Sequence, residues 1–198
     1  GTGDGGAHAD RDDGAEWSTY FLRSWLLDRE HFTLEEGVRR IGAEQEMFLV
    51  DRELRPASAV TSMLERLKDP HFVTEVAQFN LEANLDAFPL KGKCLSQMET
   101  QLLGLMDKAY AAGEGIGVTP ILTGILPTVR KSDLGLENMT PNPRYFALNN
   151  ALTNLRGKAY EIAIKGVDEL MIQHDSVMVE ACNASFQAHL QVGASEFA

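Results

Sequence analysis

A chain of 198 residues, 44% hydrophobic and 24% charged, can bury one core, and its formal charge of −11 argues against nucleic acid as a main partner, since phosphate neutralisation supplies most of that affinity. Its two cysteines, Cys94 and Cys182, lack the spacing of a zinc module or a disulfide framework. The longest apolar stretch, Ile116 to Val129, is broken by Thr119, Pro120, Thr123 and Pro127, and the N-terminus carries no signal-peptide pattern, so a cytosolic protein with no membrane partner is expected.

Residues 1–15 are rich in Gly and Asp without apolar periodicity and are expected to form a disordered tail, His8 included, with one domain from residue 16 to 198. Between Glu16 and Arg29, Trp17, Tyr20, Phe21, Trp25, Leu26 and Leu27 fall at near-helical spacing, and their stripe suits the core or a homo-oligomer contact. Ile41 to Val50 predicts a strand. Ile41, Ala43, Met47 and Leu49 share one face, which Gln45 interrupts, and Glu44 and Glu46 share the other, which Phe48 and Val50 close. Asp51 to Pro56 reads as a turn, and Thr61 to Lys68 as a short helix capped by Thr61 or Ser62.

Val73 to Phe88 predicts a second strand, with Phe79, Leu81, Ala83 and Leu85 opposite Gln78, Asn80, Glu82 and Asn84. A helix follows over Leu95 to Ala112, with Ser96 and Glu99 as a capping box, an apolar face of Leu102, Leu105, Met106 and Ala109, and Gly113, Gly115 and Gly117 to end it. Ile116 to Gly124 reads as a buried strand and Leu126 to Pro143 as a long loop, whose Arg130, Lys131 and Asp133 suit a cover over substrate. Asn142 and Pro143 start a helix over Arg144 to Arg156, and Asp168 to Gln173 adds a further turn. Ala184 to Val192 is a third two-sided strand, with Phe186, Ala188, Leu190 and Val192 as its core face and Ser185, Gln187, His189 and Gln191 opposite. This order predicts an α+β fold with a mainly antiparallel sheet and helices packed on one face. The chain stops just after the third strand, so an incomplete domain is expected.

The polar faces of the three strands carry Glu, Gln, Asn and His and almost no Lys or Arg. Glu44 and Glu46, on one face of one strand, need a cation. Converging, the three faces offer oxygen ligands and one imidazole, a set for Mg²⁺ or Mn²⁺ rather than Zn²⁺. His31, His71 and His174 have no such setting and are expected at the surface or as caps. Asp175 and Glu180 precede the third strand within reach of a cleft, and their spacing decides nothing.

Five stretches in order, GAEQEMFLVD, FNLEANL, GILPTVRKSDL, TPNPRY and SFQAHLQV, resemble the N-terminal half of the glutamate-cysteine ligase family of carboxylate-amine ligases, whose fold is like that of glutamine synthetase. The resemblance runs from Gly42 to the end of the chain. It implies an enzyme that uses ATP to phosphorylate the γ-carboxylate of glutamate and lets an amine acceptor attack the acyl phosphate. It also implies that Glu44, Glu46, Glu82 and His189 hold Mg²⁺ or Mn²⁺. Glu75 matches a further acidic position, although simple alternation puts it on the wrong face unless a bulge intervenes.

Asn80 and Gln187 are expected to meet substrate, with orientation of His189 as a second role for Gln187. Arg144, beside Tyr145, suits either a clamp on a substrate carboxylate, which makes it the candidate catalytic residue, or a surface ion pair. The family's second half, with its further ligands and basic residues, does not appear in this sequence, so turnover by the chain alone is not expected. Three other readings compete: a metal-dependent phosphotransferase of the guanidino-kinase type, a non-catalytic metal- or nucleotide-binding module, and an α+β domain without a site.

Overall fold

Strand β1, Arg40–Val50, is the spine of the fold, and every other strand of the main sheet except β2 pairs with it directly. The computed structural model describes residues 37–157, 159–193 and 196. The expected tail, the aromatic helix over 16–29 and His31 lie outside the described residues. Along one edge of β1 run β3 (Asn80–Asn84) and β4 (Phe88–Pro89), and along the other β5 (Thr119–Ile121) and β8 (Phe186–Gln191), all antiparallel. Strand β2 (Phe72–Thr74) pairs with the outer edge of β3. The register sets Glu46 opposite Glu82, Glu44 between Asn84 and Gln187, and Gly42 opposite His189. Directly opposed residues point to the same side of a sheet, so these side chains share one face.

The other face of β1 is the core. Met47 and Leu49, with Leu81 and Ala83 of β3, are buried against α1 (Val60–Leu67) and α2 (Cys94–Glu114) through Val60, Met63, Leu105, Met106 and Ala109. Each large side chain buried there contributes about 1.5–3 kcal/mol. Ile41 and Ala43 continue that face onto Cys94 and Met98. On the polar side, Phe48 and Val50 anchor a second cluster with Val76, Phe79, Leu126, Met139 and Met178. Tyr145 of α3 (Pro143–Arg156) joins it, so α1 and α2 meet the expectation of helices on one face and α3 does not. The second cluster covers only one end of the polar face.

Contacts group Arg39–Gln191 into one compact unit, which holds every element named above. Mixed α and β structure on an antiparallel sheet agrees with the α+β expectation, and no described helix is long and apolar enough to cross a membrane.

Several elements differ from expectation, each for a physical reason. Val73 to Phe88 is not one strand: β2 turns back after Thr74, with Asn80 N donating to Ala77 O at 3.0 Å, and Phe79 is carried into the second cluster. Neither expected cap forms in α1 or α2. The Ala59 and Val60 N–H groups at the start of α1 donate instead to Gln78 O at 3.0 and 2.9 Å, a tertiary substitute for a side-chain cap. Helix α2 begins at Cys94, which places Ser96 inside it, with Ser96 O accepting from Thr100 Oγ1 at 2.9 Å. The cap of α3 agrees with its sequence signal, Asn142 Oδ1 accepting from Arg144 N at 3.0 Å with Pro143 following.

The expected strand over Ile116 to Gly124 shrinks to β5, because Ile116 N and Val118 N still close the end of α2 on Gly113 O. The turn expected at Asp168 to Gln173 is half of a hairpin, β6 (Tyr160–Lys165) with β7 (Glu169–His174), closed by Gly166 N to Asp168 O at 2.9 Å. In β8 the expected core residues Phe186 and Leu190 are 51% and 59% exposed, since no described helix covers that stretch of the sheet. His174 is buried rather than at the surface, its Nε2 3.0 Å from Ser176 Oγ. Both thiols are free; burial pushes that of Cys182 up.

Candidate metal centre

Three carboxylates meet at the middle of the polar face. Glu46 and Glu82 are brought together by the β1–β3 register, and Glu75 arrives from the loop that links β2 to β3. One oxygen from each lies within 4.8 Å of the others. The hairpin returns Glu75 to the correct face without the bulge that a continuous strand would have needed. Its backbone and its carboxylate are both held, Thr140 Oγ1 donating to Glu75 O at 2.6 Å and Val76 N to Glu75 Oε2 at 3.1 Å.

Neutral donors aim these carboxylates. Ser185 N donates to Glu46 Oε2 at 2.7 Å and Gln187 Nε2 to Glu46 Oε1 at 3.0 Å, while Asn84 Nδ2 donates to Glu82 Oε1 at 2.7 Å. Burial, a hydrogen bond with Glu82 and the charges of Glu82 and Glu46 push the Glu75 carboxyl up to about 8. By itself the cluster therefore holds a proton at neutral pH, where a cation would stand in its place.

A small cavity of about 50 Å³ opens beside the triad, lined by Glu46, Glu75, Asn80 and Glu180 with Val76, Ala181 and Asn183. Among the described residues, no lysine or arginine lines it. Asn80 is buried, and its Oδ1 has no hydrogen-bond partner among the described residues. The three carboxylates of the triad, Glu46, Glu75 and Glu82, fit a hard divalent cation.

The remaining sequence-predicted residues are dispersed around this centre. His189 Nε2 lies 3.3 Å from Glu44 Oε1, a pair further along the same face. Gln187 contacts Glu46 rather than His189. Arg144 is exposed at the start of α3, and Tyr145 is buried with its hydroxyl donating to Thr74 O at 2.8 Å. Burial pushes the Tyr145 phenol up, and its hydroxyl feels the charges of both Glu75 and Arg144. Arg130, Lys131 and Asp133 build a short 3₁₀ turn, Arg130 N donating to Asp133 Oδ2 at 2.7 Å, and do not line the cavity.

Glu180 lines the cavity from the 3₁₀ segment Val177–Cys182, whereas Asp175 does not. No spacing in the sequence marks Glu180, because its position depends on where that segment packs. The backbone N–H of Ser185 carries no sequence signal at all.

A model of glutamate-cysteine ligase family 2 (GCS2) matches residues 40–198. Comparison with curated proteins and with solved structures gave no match.

Proposed function

The chain belongs to glutamate-cysteine ligase family 2, and from that premise we propose that its carboxylate face serves the ATP-dependent ligation of a glutamate carboxylate to an amine. The observation that carries the reading is the meeting of Glu46, Glu75 and Glu82 within 4.8 Å. On this reading Glu46, Glu75 and Glu82 hold Mg²⁺ or Mn²⁺, with Glu44 and His189 as an adjoining ligand pair. The divalent cation supplies positive charge for the β and γ phosphates of ATP and for the carboxylate that attacks them.

The chain's other groups position and bind. Gln187 and the Ser185 N–H fix Glu46, and Asn84 fixes Glu82, leaving their other lone pairs for the cation. Arg144 takes a substrate carboxylate through its two-pronged guanidinium, and Tyr145, tied to Thr74, holds the first turn of α3 in place beneath it. Asn80 meets substrate from within the cavity. The sheet forms part of a glutamine synthetase-like catalytic fold, and the two free thiols accord with a cytosolic setting.

Two measurements test the proposal. Calorimetric titration is expected to show Mg²⁺ and Mn²⁺ binding to the chain, strengthened by ATP and lost in a folded Glu46→Ala/Glu82→Ala variant. A protein carrying this region is expected to form glutamyl hydroxamate from glutamate, ATP and hydroxylamine, which traps an acyl phosphate. Phosphorylation of an acceptor without hydroxamate would favour the guanidino-kinase type of chemistry. A well-folded chain that binds no divalent cation would overturn the carboxylate-site assignment.

A further inference from the structure

The cavity beside the triad shares Glu46 and Glu75 with it but not Glu82, and the rest of its polar wall comes from Asn80, Glu180 and Asn183. Among the described residues, Glu180 belongs to no set of three possible ligands whose atoms lie within 4.8 Å of one another. Mg²⁺, whose metal–oxygen length of about 2.0–2.1 Å lets its ligands lie at most about 4.2 Å apart, therefore does not join Glu180 to Glu46 and Glu75 in this arrangement. A hydrogen-bonding cation spans further, because its N–H···O contacts run to about 2.9 Å.

Asn80 provides the independent observation. It is 3% exposed, it lines this cavity, and its Oδ1 is an acceptor without a donor among the described residues. The missing partner is a donor, and the surrounding carboxylates favour a positively charged one. A volume of about 50 Å³ admits one small head group. We propose that this cavity binds a primary ammonium group, accepted by Asn80 Oδ1 and by the carboxylates of Glu180 and Glu75. The inference rests on the ligase reading for the origin of that group, which is either the acceptor amine or the α-ammonium of glutamate.

The test is a set of NMR titrations on the isotope-labelled chain saturated with Mg²⁺, following the Asn80 side-chain amide and the Asn183 backbone amide. Methylammonium or glutamate is expected to shift both signals saturably, and whichever does so identifies the source. Glutarate, which lacks the ammonium, and tetramethylammonium, which cannot donate, are expected to leave them in place. The exposed Glu180→Gln variant should weaken the response roughly tenfold, the worth of one charged hydrogen bond, without changing Mg²⁺ affinity. Asn80→Asp, which keeps an acceptor oxygen, should retain it.

Equal shifts with tetramethylammonium, an unchanged response in Glu180→Gln, or no shift with either ammonium compound would overturn the proposal. The ligase reading fails separately: if Mg²⁺ does not bind but methylammonium does so through Glu180, the ammonium subsite stands and the carboxylate metal site falls.

Discussion

The β2–β3 hairpin carries a group of ionisable side chains at each end, and the two groups are balanced in opposite ways. At its open end Asp69 receives Lys108 Nζ at 2.6 Å and His71 Nδ1 at 2.7 Å, while His71 Nε2 lies 3.4 Å from Asp86 Oδ1. Gln101 of α2 closes this group on Asp86 at 2.7 Å. Lys108 and then His71 hold the Asp69 carboxyl well below its usual range, and the bond to Asp69 holds the His71 imidazole above its own. At the turn end Glu75, Glu82 and Glu46 meet without a cation, and the Glu75 carboxyl rises to about 8. Both groups draw on acidic residues joined to the same short hairpin, so residue type does not separate them; the nature of the partner does. The first group supplies its own counter-charges and ties α2 to the sheet. The second has no such counter-charge among the described residues, and on the proposed reading a bound divalent cation supplies it.

The sharpest way to break this contrast is to remove ligands from the uncompensated end. Glu46→Ala/Glu82→Ala is expected to lower divalent-cation affinity by roughly a hundredfold or more, read by calorimetry, with the apo fold retained. Next comes pH. Glu75 has a folded value of about 8 against 4.5 for the free side chain, so folding favours its protonated form. Its contribution is therefore full below 4.5 and is lost as pH rises from there through about 8. Denaturant melts of the metal-free chain should show a loss on the order of a few kcal/mol over that window, flattened in Glu75→Gln and offset by Mg²⁺. An unchanged slope in Glu75→Gln would mean that the triad is not a cationless cluster.

Smaller effects are expected from the residues that aim the ligands. Gln187→Ala or Asn84→Ala should cost about tenfold in Mg²⁺ affinity with little change in stability, which separates aiming from ligation. At the compensated end Asp69→Asn should destabilise the fold by about 1–2 kcal/mol near pH 6. Asp69 contributes above its unfolded value of 3.8 and loses that contribution as pH falls through its lowered folded value. His71 contributes below 6.5 and loses its share as pH rises through its raised one. The loss in Asp69→Asn should therefore shrink at both extremes. Lys108→Met is expected to have the smallest effect, about 0.5 kcal/mol and salt-sensitive, since the Lys108 side chain is 57% exposed.

Legibility in the sequence followed the range of the interaction. Period-2 alternation placed Glu44, Glu46 and Glu82 on the face they share, and the local cap at Asn142 set the start of α3. Where a non-local partner intervened, the local signal failed. Gln78 O took the N–H groups expected to need a cap at α1, and a turn between β2 and β3 redirected Phe79. The β6–β7 hairpin hid behind a short Gly166–Asp168 turn flanked by residues that suit either a helix or a strand. Glu75 fits the triad although alternation alone counted against it, and Glu180 had no signal to follow.

The sequence by itself determined that this chain has a strand with two acidic residues on one side and a core on the other, polar-faced strands to pair with it, and the motif order of its family, because these depend on side-chain alternation and residue type alone. Only the tertiary structure decided which carboxylates meet. Glu46 reaches Glu82 through strand register and Glu75 through the return of a hairpin, while the packing of a 3₁₀ segment brings Glu180 to the adjoining cavity. Each of those distances is set by contacts between residues far apart in the chain, and no local pattern encodes them.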